Sequence, residues 1–470
     1  MACIRASLLE REGTWDPQFF CGPIAPLLNG ATTQALHRTK AQIIEGWRGT
    51  ASGHTQEHRN VEPQPLYRMS NVGELELRLG PEHCIPPARS DMHCVRPGDV
   101  VVTKGAPIRA AIAASQVFRH RADANCYVIR GLNQADGFWV ALCLNQPAYA
   151  EYLTRKSGAA IVPRVRMAVL REAPFPEQPI SAKALSQRVL DCLDRRIDSM
   201  AELFRFVASV HDYIATLLPE SDDNPAEFHH NGSAWHHFFP ASDIDDSLVP
   251  AHVAVNGYQR ALRTEAGWVP LRQLISQRRE PAERLAAVSG PMRTLQLADV
   301  SDSFILPTGA ARNMATSHRR VFAHPLSEND VLLSTLVTSP CVTFAGTHPA
   351  TAVYPTDHWY RLRFRETPGA WALVLDAPAI HAQLERLAIG TVQQFAQPST
   401  VRRLVLPNIP IETRIKWDSF LRRWQQRRRD LDDTWLGLWP QCYRLLQETH
   451  KTYGAWTQPP AALKDVEDDS

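Results

Sequence analysis

The chain has 470 residues, 44% of them hydrophobic, and its 51 basic and 49 acidic side chains leave a formal net charge of +2. That balance neither requires nor excludes a nucleic-acid partner, so the clustering of charge matters more than its sum. No stretch approaches the ~20 apolar residues that span a bilayer, and Met1-Ala2-Cys3-Ile4-Arg5 lacks the charged-then-apolar layout of a secretory leader. The expectation is a cytoplasmic protein with no membrane partner. Nine cysteines stand singly without a CxxC pair, which reads as reduced thiols rather than a disulfide framework.

In chain order, Arg96-Pro97-Gly98-Asp99 predicts a turn that opens the β-branched strand Val100-Val101-Val102-Thr103. Tyr127-Val128-Ile129-Arg130 and Gly137-Phe138-Trp139-Val140-Ala141-Leu142 follow, and Pro147 to Leu153 reads as a short amphipathic helix. Gly158 then leads to a second strand-like stretch at Val169-Leu170 and to the Pro-bounded loop Pro174-Phe175-Pro176-Glu177-Gln178-Pro179. Leu190, Leu193, Ile197, Met200, Phe204, Val207, His211, Ile214 and Leu218 recur at alternating three- and four-residue steps. That is the heptad seam of a coiled coil, about 42 Å long at 1.5 Å per residue.

The second half repeats this order at a lag of about 232 residues. Ser327-Glu328-Asn329-Asp330 precedes Val331-Leu332-Leu333-Ser334, Tyr360-Arg361-Leu362-Arg363 answers Tyr127 to Arg130, and Gly369-Ala370-Trp371-Ala372-Leu373-Val374 answers Gly137 to Leu142. Pro378 to Leu387 reads as the matching short helix, and Leu404-Val405 to Pro410 as the matching Pro-bounded stretch. A second seam follows at Trp417, Leu421, Trp424, Arg428, Leu431, Trp435, Leu438, Cys442 and Leu445, with a kink expected near Pro440. Its three tryptophans suggest a large apolar surface and poor solubility without partners. A period this long is a duplicated domain rather than a solenoid. Two long helices, each following a copy, most simply pack antiparallel and hold two similar binding surfaces apart. Faces of the DNA major groove recur about every 34–36 Å, so such a rod suits two half-sites about one helical turn apart.

The layout resembles the DNA-specificity subunit of type I restriction–modification enzymes. The resemblance is carried by Trp15-Asp16-Pro17-Gln18-Phe19-Phe20, by Pro97-Gly98-Asp99-Val100-Val101 before a strand, and by Asn125-Cys126-Tyr127-Val128-Ile129. Gly158 to Leu170 leading into Pro174 to Gln178 before the long helix adds to it, as does the order domain, long helix, domain, long helix over residues 1 to 450. The second half departs from the pattern: Asn329-Asp330 stands for Gly-Asp, and Pro407 to Thr413 lacks the Glu-Gln ending.

What the resemblance implies is an α/β (α+β) chain with two tandem globular target-recognition domains, at 1–180 and 220–410. Two long antiparallel coiled-coil helices at 181–219 and 411–452 separate them with pseudo-two-fold symmetry, and an acidic tail at 453–470 is expected to be disordered. Each domain would read half of a bipartite double-stranded DNA target. The chain would be non-catalytic and would dock DNA adenine methyltransferase subunits, commonly two, which carry S-adenosylmethionine; a restriction or translocase subunit could join them. Seam residues Leu193, Ile197, Met200, Phe204, Val207, Trp417, Leu421, Trp424 and Leu431 form the spacer in this reading. DNA-side basic residues are Lys104, Arg109, Arg119, Arg121, Arg164 and Arg166 in the first copy, and Arg312, Arg319, Arg320, Arg402 and Arg403 as their counterparts in the second. The alternative is a scaffold of the same fold in a methyltransferase-based phage-defence system that reads no sequence.

Little in the chain competes with a binding role. The Pro-Pro pairs at Pro86-Pro87 and Pro459-Pro460 lack the Asn or Asp and the aromatic residue that would hold a flipped adenine, and no GxxxxGK[ST] phosphate loop or Gly-rich cofactor loop is present. His229-His230 with His236-His237 and His252, and more weakly His83-Cys84 with His93-Cys94, could be imagined as metal ligands. Neither spacing matches a regular site, so no metal is expected. Asp99 and Asp330 are read as turn residues rather than catalytic carboxylates.

Overall fold

The computed structural model describes residues 33–36, 41–47, 66–80, 92–115, 120–157, 164–218, 229–231, 234–236, 267–276, 282–284, 292–297, 300, 304, 312–314, 320–337, 340–346, 352–386, 395–396 and 398–453. It divides into two compact units. Unit 1 takes Met1–Phe204 with Asp430–Ser470, and unit 2 takes Arg205–Arg429.

Unit 1 contains β1 (Thr33–Ala35), β2 (Gln42–Glu45), β3 (Leu66–Tyr67), β4 (Leu75–Glu76), β5 (Val100–Thr103), β6 (Ala110–Ile112), β7 (Arg121–Ala122), β8 (Cys126–Arg130) and β9 (Pro174–Pro176). Its helices are α1 (Gln134–Leu144), α2 (Pro147–Ser157), α3 (Met167–Glu172) and the first part of α4 (Ala182–Ala215). Five strands form one sheet in the order β2-β8-β5-β6-β4. β5 lies between β6 and β8, antiparallel to both, with Val100 opposite Ile129 and Ile112. Strand β5 is buried along its whole length, so a β-branched run without alternation is what both faces require. Helix α1 covers this sheet and is buried from Gly137 to Leu144. A Cβ on Gly137 would stand 3.2 Å from the Gly98 carbonyl oxygen, which explains a glycine at that close approach.

Unit 2 contains β10 (His229–Asn231), β11 (Ala234–His236), β12 (Trp268–Pro270), β13 (Ala282–Arg284), β14 (Met292–Leu295), β15 (Arg312–Met314), β16 (Arg320–Phe322), β17 (Asp330–Ser334), β18 (Val342–Phe344), β19 (Tyr354–Pro355), β20 (Trp359–Arg363) and β21 (Val405–Pro407). Helices α5 (Leu271–Leu274), α6 (Pro368–Leu375), α7 (Pro378–Arg386), α8 (Pro398–Arg403) and much of α9 (Ile411–Tyr453) accompany them. Here β17 lies between β18 and β20, antiparallel to both, as β5 does between β6 and β8. Helix α6 is buried throughout and packs on β17 and β18. Leu295, Phe322, Leu326, Leu332, Ala345 and Trp359 belong to one buried apolar cluster.

Two elements differ from the sequence expectation. The stretch at Val169-Leu170 is the helix α3, and the Pro-bounded segment after it is the strand β9, paired with β1. Four apolar residues in a row fit helix or strand equally. Only the one-sided burial, with Val169 and Leu170 inside and Arg171 and Glu172 outside, marks the helix. Helix α9 includes Pro440 within its length, where the second seam places it.

The long helices pair within each unit. In unit 1 the Arg188 guanidinium donates to Gln441 at 2.5 Å, and Arg196 meets Asp432. In unit 2 the Phe206 and Phe420 rings stack at 3.6 Å, and Tyr213 meets Trp417 edge-on at 5.5 Å. Partner numbers fall along α9 as they rise along α4, so the helices are antiparallel. Leu193, Ile197, Met200, Trp417, Leu421, Trp424 and Trp435 are buried, and Phe204, Val207 and Leu431 are half-buried. The expected exposed tryptophan surface is therefore absent from these positions, because the rings lie inside the helix packing.

Candidate functional site

The two units carry the same hydrogen-bonded frame, offset by 231 to 233 residues. It begins at the turn before the central strand. Gly98 (φ +84°) and Asn329 (φ +72°) take the same left-handed conformation. The amide of Gly98 donates to the Ala113 carbonyl and that of Asn329 to the Ala345 carbonyl. The next residue is an aspartate in both. Asp99 accepts from the Arg96 amide and Asp330 from the Ser327 amide, at 2.8 and 2.7 Å.

Each aspartate then holds a guanidinium. Arg130 donates from Nε to Asp99 Oδ1 at 3.0 Å and from Nη2 to Oδ2 at 2.6 Å, with further bonds to the Met92 and Cys94 carbonyls. In unit 2, Arg361 and Arg363 share Asp330: Arg361 Nε reaches Oδ2 at 2.8 Å and Arg363 Nε reaches Oδ1 at 2.9 Å. Arg361 also donates to the His324 and Pro325 carbonyls. Asp330 is fully buried and Arg361 nearly so. Both aspartates are thus acceptors tied into the fold, as turn residues rather than free carboxylates.

The far end of the frame repeats too. The Tyr127 hydroxyl donates to the Val165 carbonyl and the Tyr360 hydroxyl to the Ala396 carbonyl, at 3.0 and 2.7 Å. The carbonyl of Pro174 is taken by the Tyr149 hydroxyl, and that of its equivalent Val405 by the Gln383 amide. Each frame then grips the helix that follows its own copy. Ser115 donates to Asp194 of α4 in unit 1, and the Gly346 amide donates to Gln425 of α9 in unit 2 at 3.1 Å. The amide of Gly369 adds a bond to Asp418 at 2.7 Å.

The basic residues singled out from sequence fall in different settings. Lys104 is buried: its ammonium pairs with Glu45 at 2.9 Å and lies 4.4 Å from the centre of the Tyr127 ring. Arg109 is half-buried and acts on Glu74, whose carboxyl is held above the usual range by burial against the opposing pull of Arg109 and Arg78. The Arg121 guanidinium covers the Trp47 ring at 4.8 Å. Arg164 and Arg166 are exposed, and Arg166 Nη2 donates to the Lys156 carbonyl at 2.9 Å. In unit 2, Arg402 is exposed and Arg403 half-buried in the last turn of α8. Arg312 pairs through its backbone with Thr294, and Arg320 with Arg284. Arg119 and Arg319 lie outside the described residues, as do His83, Cys84, His237 and His252.

The frame also corrects how the two basic sets correspond. It aligns Lys104 with Thr335, Arg164 with Phe395, and Arg402 with Arg171. Arg171 is exposed in the last turn of α3, as Arg402 is in α8. Sequence reading passed over it because it ends a short apolar run and stands apart from any basic pair. On one side it borders an open groove with Gln42, Ile43, Met92 and His93 along the edge strand β2.

Among the described residues no group of three or more His, Cys, Asp or Glu side chains is placed to hold a metal. The hairpin β10–β11 sets His229 across from His236, while His93 Nδ1 bonds the Glu45 carbonyl at 3.0 Å and Cys94 is buried. The thiols of Cys126 and Cys143 are pushed well above the usual range, by burial first, and Cys442 is pushed up to about 12 by burial. No described helix is long and apolar enough to cross a membrane.

No protein-family model matches the chain, and no curated protein matches it either. Solved structures do. One is the S subunit of a type I restriction–modification system from M. genitalium, with 11% identity over 90% of this chain and 97% of that one, at a TM-score of 0.38. Another is the HsdS subunit from Thermoanaerobacter tengcongensis, with 14% identity over 89% and 93% of the two chains, at a TM-score of 0.23. A third, from a structure describing assembly of a type I R-M system, shares 14% identity over 89% and 94%, at a TM-score of 0.27.

Proposed function

We propose that this chain is the DNA-recognition subunit of a type I restriction–modification-like methyltransferase complex, itself non-catalytic. The observation that carries the reading is the duplicated frame: the same turn, aspartate–arginine pair and tyrosine–carbonyl bond in both units, each frame gripping the long helix that follows it. A duplicated reader suits a target with two halves, and an antiparallel helix pair suits a fixed spacer between them. The anchoring side chains of the frame are turned inward, so discrimination falls to exposed residues around it. Arginines such as Arg164, Arg171 and Arg402 supply phosphate contacts, while side chains reaching base edges in the major groove supply selectivity. Adenine methyltransferase subunits, commonly two, dock on the chain and bring S-adenosylmethionine. The full chain, mixed with a type I DNA adenine methyltransferase subunit, is to be selected against a random duplex library. Enrichment of one split motif at a constant spacer is expected. Binding without any enriched motif would leave a scaffold and end this reading.

A further inference from the structure

Arg196 lies on the flank of the α4 seam and is buried. Its Nε and Nη2 donate to the two carboxylate oxygens of Glu76 at 2.8 and 3.0 Å, and Nη1 donates to Asp432 of α9. The guanidinium lies 5.5 Å from the centre of the Trp435 ring. Glu76 belongs to β4, at the edge of the five-stranded sheet. One side chain thus ties the sheet, α4 and α9 together within unit 1.

The chemistry of that tie is selective. A planar guanidinium satisfies two carboxylates in one arrangement, and a buried charge that loses its partner is heavily penalised. The apolar seam discriminates registers more weakly, because leucine and tryptophan recur at the same steps along α9 and a slipped pair still buries them. A slipped pair does not keep the carboxylate. Steps of three, four and seven residues from Asp432 reach Trp435, Leu436 and Trp439 in one direction and Arg429, Arg428 and Gln425 in the other. None of these is an anion, and two carry the same charge as Arg196. The duplication does not repeat the arginine–aspartate pair: a shift of 231 residues takes Arg196 to Arg427, while the residue that Asp432 matches is Ala201.

We propose that the Arg196–Glu76–Asp432 cluster is the register key of the α4–α9 pair. It fixes how far one helix is advanced along the other, and so the spacer length between half-sites; that second part rests on the DNA-reading function proposed above, and the first does not. The test places p-benzoylphenylalanine at Arg188 in the full chain and maps its photo-crosslinks by mass spectrometry. In the otherwise unchanged chain they centre on Gln441. In Glu76→Gln/Arg196→Met/Asp432→Leu, which removes all three charges of the cluster together, they spread by one heptad in both directions along α9. Crosslinks still centred on Gln441 overturn the proposal. Should the triple variant not fold, Asp432→Asn keeps the shape of the site and the same spread is expected of it, with the same centring counting against. Selection from a duplex library with the methyltransferase present tests the second part. The variant is expected to accept several spacer lengths where the parent takes one, and a single unchanged length beside shifted crosslinks refutes that part. A parent that enriches no split motif ends the DNA-reading function, while the crosslink map still decides the register.

Discussion

Gly98 and Asn329 hold the same left-handed turn in the two units, with φ of +84° and +72°. The glycine carries no strain there, and the asparagine is compensated because its side-chain oxygen accepts from Arg422 Nη2 at 2.5 Å. No heavy atom lies within 4 Å of a Cβ built on Gly98, so Gly98→Ala meets only the backbone penalty. It is expected to cost about 1–2 kcal/mol. Asn329→Gly exchanges one hydrogen bond for relief of strain and should come out near neutral, whereas Asn329→Ala loses the hydrogen bond, keeps the strain and should cost about 2 kcal/mol. Urea unfolding followed by tryptophan fluorescence checks the order. An Asn329→Gly variant as damaged as Asn329→Ala contradicts the assignment.

The aspartates that follow differ in how deeply their arginines sit. Asp330 is fully buried with Arg361 beside it, while Arg130 keeps part of its side chain in water. Asp330→Asn leaves a buried guanidinium without its anion and is expected to cost about 3–5 kcal/mol. Asp99→Asn leaves a better-hydrated one and should cost about 1–3 kcal/mol. Unfolding midpoints of the two variants, measured side by side, give the comparison. Equal losses would mean that burial does not set the cost.

Much of the fold was legible because the duplication preserves the residues that make long-range bonds. Tyr127 and Tyr360, and Gly137 and Gly369, recur because a carbonyl or a close helix approach demands them. The rhythm of the long seams announced the helices for the same reason: burial on one face leaves a period. Chemistry that depends on distant partners was not legible. Lys104 follows a strand and looks like a free cation, yet Glu45, its partner, is 59 residues earlier. Arg196 escaped notice because a hydrophobic rhythm is blind to a charge on its flank, and its partners lie 120 and 236 residues away. Asn329 looked like a departure from Gly98 in sequence. In the backbone it is the same residue, since asparagine is among the side chains that tolerate positive φ.

Two histidines in unit 2 make its stability depend on pH. His381 has its pKa lowered to about 4, first by burial and then by neighbouring His211 against a backbone bond at Leu375. His211 is lowered by burial despite Asp212, and its Nε2 stands 3.6 Å from Asp376. A histidine whose pKa is depressed in the fold contributes stability that is present above its unfolded value of 6.5 and is lost as pH falls toward the folded one. The loss for His381 is therefore expected between about pH 6.5 and 4. Over that range the parent should lose about 3 °C or more in Tm beyond the loss shown by His381→Gln. Parallel curves for the two proteins would remove the histidine from the account.

Arg171 and Arg402 occupy equivalent last turns of short helices, in α3 and α8, and both are exposed. In the proposed function they are phosphate contacts in the two half-sites, so each contributes affinity without reading a base. Arg171→Ala and Arg402→Ala should each weaken binding about 3- to 10-fold at moderate salt, and each should shrink the slope of log affinity against log salt by about one. Because the contacts are to the backbone, the preferred bases should not change, and the double variant should lose about two from the slope. Lys104→Met serves as the contrast, since its ammonium pairs with Glu45 inside unit 1. It should lower stability and leave the slope alone. A slope that responds to Lys104 and ignores both exposed arginines would place the DNA against a different face of the protein.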